Sequence, residues 1–292
     1  MHETVLTLMR CPTCHRELRV SSLEERYPSS EMVEGLVTCP AGHTWPVEDG
    51  ILVFTRDDAP SDPWSNSHAD YETYCEHQSA WLASSGGKVI PLLERLHVGP
   101  AQVMLDVCTG AGGLLFNLLN QIGRQVDVIS LDMSLTIQRH NRRYLLEQHC
   151  DRKVSFVAAD AADMPFHDGA LHHVVSYGMG NMLNKMAHGV SEVARVLTSE
   201  GTFTFTHMYV DEGSEGWRVM SSLLRRAGVK EDVRYLGMAP SFAAPMACTG
   251  FRSYDIRVTN EVMGEPERDV EAGPLFPYPG ERLTEIVVKA VK

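Results

Sequence analysis

Apolar residues along this chain fall into two rhythms. Short unbroken runs, Val103–Val107, 126–131, Val154–Ala158 and 173–176, have the length and β-branched character of buried strands. Between the first two, Leu114, Leu115, Leu118, Leu119 and Ile122 recur at helical spacing and make one apolar stripe. Ser134 stands where it can cap a helix running to about Gln148. Val190, Val193, Val196 and Leu197 mark a further amphipathic helix, which Gly201 ends before a strand at 202–206. Strands at 253–259 and 284–291 close the chain. Strands that alternate with helices need crossover connections, so this part predicts an α/β fold with a parallel sheet covered on both faces.

The first hundred residues follow a different pattern. Residues 1–55 carry paired Cys and His and end on the apolar run Ile51-Leu52-Val53-Phe54. Residues 56–68 are rich in Pro, Ser and Asp, which disfavour regular structure and read as a linker. A helical stretch at 69–97 follows, and Pro100 precedes the first strong strand. The expected organisation is a small module at 1–55, linker and lid helices at 56–98, and an α/β domain at 99–292. Within that domain, 211–248 is longer than an ordinary connection and is read as a substrate cap.

Chemistry enters at Leu105-Asp106-Val107-Cys108-Thr109-Gly110-Ala111-Gly112-Gly113. A buried strand ends on an acid, and a turn of small residues then opens a helix. Glycine lets the backbone approach a ligand closely, and the helix start offers free N–H groups. A dinucleotide site wants G-x-G-x-x-G directly after the strand; here a carboxylate would crowd a pyrophosphate. A P-loop is excluded because no Gly-Lys-Ser/Thr follows. The acid favours a cationic ligand without phosphate, carrying an amine and a sulfonium. Asp132 closes the second strand, where an acid can accept both ribose hydroxyl protons, and Asp160 follows the third, where it can accept from an adenine amino group. Each alone reads equally as a turn former; the recurrence after three successive strands is what carries the reading.

With these residues in view, the chain from about 100 to 292 resembles class I S-adenosylmethionine-dependent methyltransferases, especially the group containing the ubiquinone and menaquinone C-methyltransferases. Besides the glycine loop, the resemblance rests on Leu131-Asp132-Met133-Ser134, on Asp160-Ala161-Ala162-Asp163-Met164-Pro165-Phe166, on Glu192-Val193-Ala194-Arg195-Val196-Leu197 before Gly201, and on Thr249-Gly250-Phe251. It implies a Rossmann-like sheet of seven mostly parallel strands. It also implies S-adenosyl-L-methionine as cofactor, with Asp106 near the methionine amine and Cys108, Thr109, Gly110 and Gly112 in the loop beneath it. Asp132 falls on the ribose, Met133 against the adenine, and Asp160 with the Ala161 backbone at the adenine edge. Two positions depart from the family pattern: Cys108 stands where many members have glycine, and His172 replaces an acid at the start of strand four.

Cys11-Pro12-Thr13-Cys14 and Cys39-Pro40-Ala41-Gly42-His43 form C-x2-C and C-x3-H pairs. Such turns place two ligands on one face of a tetrahedral Zn²⁺, and four ligands close the shell, so the predicted site is structural. Unrelated free thiols are the bland alternative. His15 adjoins Cys14, where ligation would strain the turn. The segment resembles small zinc-ribbon modules that close on a run like Trp45-Pro46-Val47-Glu48-Asp49-Gly50-Ile51. Some rRNA guanine methyltransferases carry a comparable module, which makes RNA the rival substrate.

In the implied architecture, chemistry occurs at the carboxyl ends of strands four and five. Tyr177 follows strand four and is counted with the cofactor-contacting residues. His207 ends strand five and is the first candidate base, with Tyr177 second; packing or capping is the competing role for His207. Tyr71, Tyr74 and His77 fall in the lid helix, and His172 and His173 read as structural. The cap holds Trp217, Met220, Leu223, Leu224, Met238, Phe242 and Met246, which suits an apolar small molecule because methionine adapts its shape. An ordinary packed helix explains the same residues. The formal net charge of −12 argues against a large nucleic-acid footprint. An arsenite-methylating role is weakened because the loop at 180–185 has no cysteine. The N-terminal residues show no signal peptide, no apolar run is long enough to span a membrane, and seven cysteines in zinc-like spacing suit a reducing compartment, so cytoplasm is expected. A catalytically silent protein-binding module is the third reading, against which the intact trio Asp106, Asp132 and Asp160 speaks.

Overall fold

The computed structural model describes residues 1–27, 31–55, 71–148, 152–177, 186–211, 213–215, 217–218, 222, 249–264 and 280–292. The linker at 56–68, the loop at 178–185 and most of the cap expected at 211–248 lie outside them. The chain opens with α1 (Glu3–Leu6), then β1 (Arg19–Tyr27), β2 (Glu31–Thr38), β3 (Thr44–Glu48) and β4 (Ile51–Val53). After α2 (Tyr71–Leu93) come β5 (Val103–Val107), α3 (Gly113–Leu119), β6 (Asp127–Asp132), α4 (Leu135–Gln148), β7 (Val154–Ala158) and β8 (Leu171–Tyr177). The chain finishes with α5 (Met186–Val196), β9 (Leu197–Val210), β10 (Ser253–Met263) and β11 (Arg282–Val291).

The strands β5 and β7 are buried along their whole length, as required of parallel strands covered by helices on both faces. The expected seven strands run in the order β7-β6-β5-β8-β9-β11-β10, parallel except at β11, which is antiparallel to both β9 and β10. Succession reverses between β5 and β8, which opens a crevice at their carboxyl ends. Four more strands join at the β7 edge: β1 to β4 form an antiparallel meander, and β4 then pairs in parallel with β7, Ile51 opposite Phe156 and Val53 opposite Ala158. The result is one eleven-stranded sheet.

Two apolar clusters sit on its faces. One joins Val89 and Leu92 of α2, Leu114 to Leu119 of α3 and Leu145 of α4 to Met104, Val128 and Phe156. The other joins α5 and the sheet residues Leu105, Ile129, Val157 and Phe205 to Val5, Met9, Cys11, Cys39, Trp45 and Phe54. The N-terminal module therefore shares a core with the α/β domain.

Ser134 caps α4 as expected, its hydroxyl accepting the Ile137 N–H at 3.1 Å. β9 begins at Leu197, earlier than the glycine signal predicts. Gly201 lies inside the strand, where a Cβ would press on the Leu197 side chain, so the glycine serves close packing there. β10 also runs on to Met263, past a bulge between Val258 and Asn260. His173 is structural, bridging Thr202 (2.8 Å) and Gln102 (2.9 Å) between strands; burial, with His172 and Lys289 nearby, lowers its pKa to about 4. His172 Nδ1 accepts the Val103 N–H at 3.2 Å.

Candidate functional site

The switch point between β5 and β8 is where the predicted acids meet. Asp106, the penultimate residue of β5, is 1% exposed, and among the described residues neither of its carboxylate oxygens has a hydrogen-bond partner. Burial pushes its carboxyl well above the usual carboxylate range; Thr109 offsets this in part and the nearby Asp132 adds to it. A buried carboxylate without a partner is costly unless a cation completes it.

Two residues on, Cys108 adopts a left-handed conformation (φ 58), as do Gly110 (φ 51) and Gly112 (φ 77). This run turns the chain sharply from β5 into α3. Gly112 is compelled as well by space, since a Cβ there would overlap the Phe116 ring. The Cys108 thiol is held far up, first by burial and then by Asp132, Asp106 and Asp160, so all three strand-end acids bear on one small region.

Asp132, 7% exposed, accepts the Gly110 N–H through one oxygen (2.9 Å) and the Ser134 N–H through the other (3.0 Å). It ties the glycine loop to the end of β6. Asp160 folds its own loop, accepting the Ala162 N–H at 2.9 Å. Ala161 is buried beside it, whereas Met133 is 42% exposed above β6. Thr109 turns inward: its hydroxyl donates to the Asp106 carbonyl (3.1 Å) and accepts from Ser130 (2.9 Å), so it serves the loop from below.

Of the two candidate catalytic side chains, Tyr177 ends β8, whereas His207 lies within β9, which runs on to Val210 instead of ending there as expected, and the two sit on opposite faces. Tyr177 pairs with Thr206 and packs with the α2–α3 cluster, the face to which Asp106 also belongs. His207, one position further along β9, alternates onto the face of Phe203 and Phe205 and is 6% exposed. Burial, aided by Glu285, raises the Tyr177 hydroxyl pKa, so Tyr177 stays protonated at neutral pH. Trp217 is buried in the module-side cluster. Tyr71, Tyr74 and His77 fall in the opening turns of α2, their side chains outside those described.

Some of the machinery was not singled out by the sequence. Gln78 of α2, fully buried, donates to the Ala111 carbonyl and to Asn141 Oδ1, each at 3.0 Å. Asn141 of α4 donates to the Gly110 carbonyl at 2.7 Å. Gln138 donates to the carbonyls of Ser130 (3.1 Å) and Val157 (2.9 Å), joining β6 to β7. Each sits on a helix whose polar residues read as solvent-facing, and the only signal was an amide at the period of the apolar stripe.

Away from this crevice, Cys11, Cys14, Cys39 and His43 bring their donor atoms within 4.8 Å of one another. Cys14 Sγ lies 3.5 Å from Cys39 Sγ, and His43 Nδ1 lies 3.3 Å from Cys39 Sγ and 3.6 Å from Cys11 Sγ. These spacings match the edges of a tetrahedron around a metal of zinc's size. Two similar turns build it. His15 (φ 57) donates its N–H to the Cys11 carbonyl, and Gly42 (φ 85) donates to the Cys39 carbonyl. His15 thus supplies the turn geometry.

Comparison with known proteins agrees with this geometry. Residues 92–213 match the ubiE/COQ5 methyltransferase family. The demethylmenaquinone methyltransferase of Porphyromonas gingivalis is 32% identical over 95 residues, covering 32% of this chain and 38% of that protein. The 2-phytyl-1,4-naphtoquinone methyltransferase of Trichormus variabilis is 25% identical over 152 residues, covering 47% of this chain and 63% of that one. The chain thus spans less than two thirds of the length of these relatives. Among solved structures, phosphoethanolamine N-methyltransferase 2 of Haemonchus contortus in complex with S-adenosyl-L-methionine superposes with a TM-score of 0.57 at 15% identity, over 79% of this chain and 59% of that one. The fold is that of the S-adenosylmethionine-dependent methyltransferases.

Proposed function

We propose that this chain transfers a methyl group from S-adenosylmethionine to a small organic acceptor. The observation that carries the reading is the buried Asp106 carboxylate, without a partner among the described residues and faced by a glycine turn with Asp132 and Asp160 nearby. That is a receptor for a cation bearing a nucleoside. Asp106 would hold the methionine ammonium, Asp132 the ribose hydroxyls, and Asp160 with the Ala161 amide the adenine edge, with Met133 exposed to lie on the base. Gly110 and Gly112 keep the loop low enough for close approach, with Cys108 and Thr109 completing its turn. S-adenosylmethionine supplies an electrophilic methyl on a sulfonium. What the chain adds is chiefly placement of the acceptor in line with it, since positioning provides much of the rate of such a displacement. For an acceptor that carries a proton, His207 is the candidate base, reached only from the face opposite Asp106; Tyr177, held protonated, is a donor or contact on the Asp106 face of the sheet.

Three observations favour a small acceptor. The family matched at residues 92–213 and the relatives named above are methyltransferases of quinones. The net charge is −12, and residues 1–55 hold eight Asp and Glu against four Lys and Arg, a poor surface for a phosphate backbone. Cys11, Cys14, Cys39 and His43 would hold a structural Zn²⁺, and the reduced thiols such a site needs favour a reducing compartment such as the cytoplasm. Among the described residues no helix is long and apolar enough to cross a membrane.

The test is calorimetric titration with S-adenosylmethionine, followed by methyl-transfer assays on small-molecule extracts and on total RNA. Binding that is lost in Asp106→Ala and Asp132→Ala, with label entering a small acceptor, is expected. Absence of binding in the wild type defeats the reading, and salt-sensitive labelling of RNA replaces the acceptor class.

A further inference from the structure

The loop that carries Asp160 is held from outside by the N-terminal module. Arg10 donates its N–H to the Pro165 carbonyl at 3.0 Å, His167 donates to the Leu8 carbonyl at 2.9 Å, and Met9 bridges Phe166 between them. This short antiparallel contact ends one residue before Cys11, the first of the clustered thiols. Met9, Cys11, Met164 and Phe166 are all buried in one cluster. A second grip comes from the far end of the module. Beyond β4, Phe54 and Thr55 both donate to the Ala158 carbonyl (2.8 and 3.2 Å), while Ala159 donates to the Asp132 carbonyl at 3.0 Å. Phe54 in turn packs edge-on against Trp45, whose strand follows His43.

The α/β domain clamps the same loop from the other side. Arg195 donates to the Phe166 carbonyl (2.6 Å), the Met164 carbonyl (2.8 Å) and the Asp168 carboxylate (2.8 Å), and Glu192 accepts the Met164 N–H at 2.8 Å. Asp168 also takes Arg10, at 3.3 Å. The segment from Asp160 to Asp168 is therefore fixed between α5 and a strip of backbone that leads directly into the first metal-ligand turn.

We propose that the N-terminal module is a working part of the cofactor site, its Leu8–Arg10 strip and the Cys11/Cys14/Cys39/His43 cluster positioning the Asp160 loop so that metal occupancy sets cofactor affinity. Without the metal, Cys11 and Cys39 keep their shared burial and their turns but lose the cross-link between them, which loosens the anchor of the Leu8–Arg10 strip. The loop then depends chiefly on its Arg195 clamp and on the Phe54 and Thr55 bonds to Ala158. Arg10 is a positioning residue in this scheme.

The inference rests on the cofactor reading above, and the test separates the two. Hydrogen exchange is measured on the zinc-loaded and chelator-treated full chain without cofactor, beside titration with S-adenosylhomocysteine. Metal removal is expected to speed exchange at residues 8–11 and 160–168 while β5 and β6 stay protected, and to weaken binding about tenfold or more. Arg10→Ala, still carrying one zinc per chain by elemental analysis, is expected to bind two- to threefold more weakly, with Arg10→Lys restoring affinity. Unchanged exchange at 160–168 after metal removal overturns the coupling. If chelation unfolds the whole chain, the Arg10 pair decides: equal affinity in wild type, Arg10→Ala and Arg10→Lys overturns it. A zinc-loaded wild type that never binds S-adenosylhomocysteine defeats the cofactor reading instead, and the exchange comparison still tests the coupling.

Discussion

At the scale of single residues, Asp106 is the group whose energetics most directly report function. Its carboxyl is buried, lacks a partner among the described residues and has a raised pKa. In the unfolded chain the same carboxyl ionises near pH ~3.9. Between that value and its folded value the native state holds a proton that the unfolded state has released, so stability falls as pH rises through this window. Asp106→Asn removes the charge at similar size. The variant should therefore match the wild type below the unfolded value and be more stable at neutral pH, read as a higher urea midpoint without cofactor. It should also lose about 10- to 100-fold in S-adenosylmethionine affinity, the worth of a hydrogen-bonded charge. Higher stability together with lost binding marks a functional acid; a parallel loss of both would mark a structural one. Gln78 makes the opposite prediction. Gln78→Leu strips the donors from the Ala111 carbonyl and Asn141 Oδ1. It should cost about 1–3 kcal/mol in denaturant unfolding, with a smaller affinity loss than Asp106→Asn.

At the scale of elements, the strands and helices that bear the acids were legible because their sequence signals are local. β5 and β7 are short apolar runs, α4 begins at a capping serine, and Asp132 and Asp160 follow strands. The pairing of Cys11, Cys14, Cys39 and His43 into one cluster was legible from spacing alone. What was hidden is long-range pairing. Nothing in Ile51-Leu52-Val53 says that it will lie parallel to β7 and extend the sheet, since an apolar run fits a small module's own core as well. Nor does Arg142 of α4 announce itself. It is 2% exposed and pairs with Glu31 and Asp49 of the module, each at 3.1 Å, with Gly50 so close that a Cβ would overlap the guanidinium. Gln138, Asn141 and Arg142 make one helix face polar and buried, a combination that periodicity assigns to solvent. The physical consequence lies at the β7 edge. Removing residues 1–55 would bare a row of unpaired backbone groups along β7 and the apolar residues Val157, Ala159 and Phe166. The truncated chain should aggregate, seen as void-volume elution in size exclusion; a monodisperse truncation would show that the module is dispensable for folding.

At the scale of the molecule, the module bearing the Cys/His cluster and a methyltransferase-fold domain are fused through a shared sheet and a shared apolar cluster. Contacts of this kind make two units melt as one, because opening either exposes the core of both. Arg139 with Glu48, Arg10 with Asp168 and His2 with Ser155 span the same boundary, but most of these are partly exposed and worth little singly. The buried Arg142–Glu31 pair matters through the cost of breaking it, which would leave a charge stranded in the interface. A metal that binds only the folded module then stabilises the entire chain by linkage, about 2.7 kcal/mol when free metal stands a hundredfold above its dissociation constant. Calorimetry of the zinc-loaded protein should accordingly show one transition, and a chelator should move that single transition down as a whole. Two transitions, of which only the smaller responds to chelation, would instead mean that the module and the α/β domain unfold independently despite their common sheet.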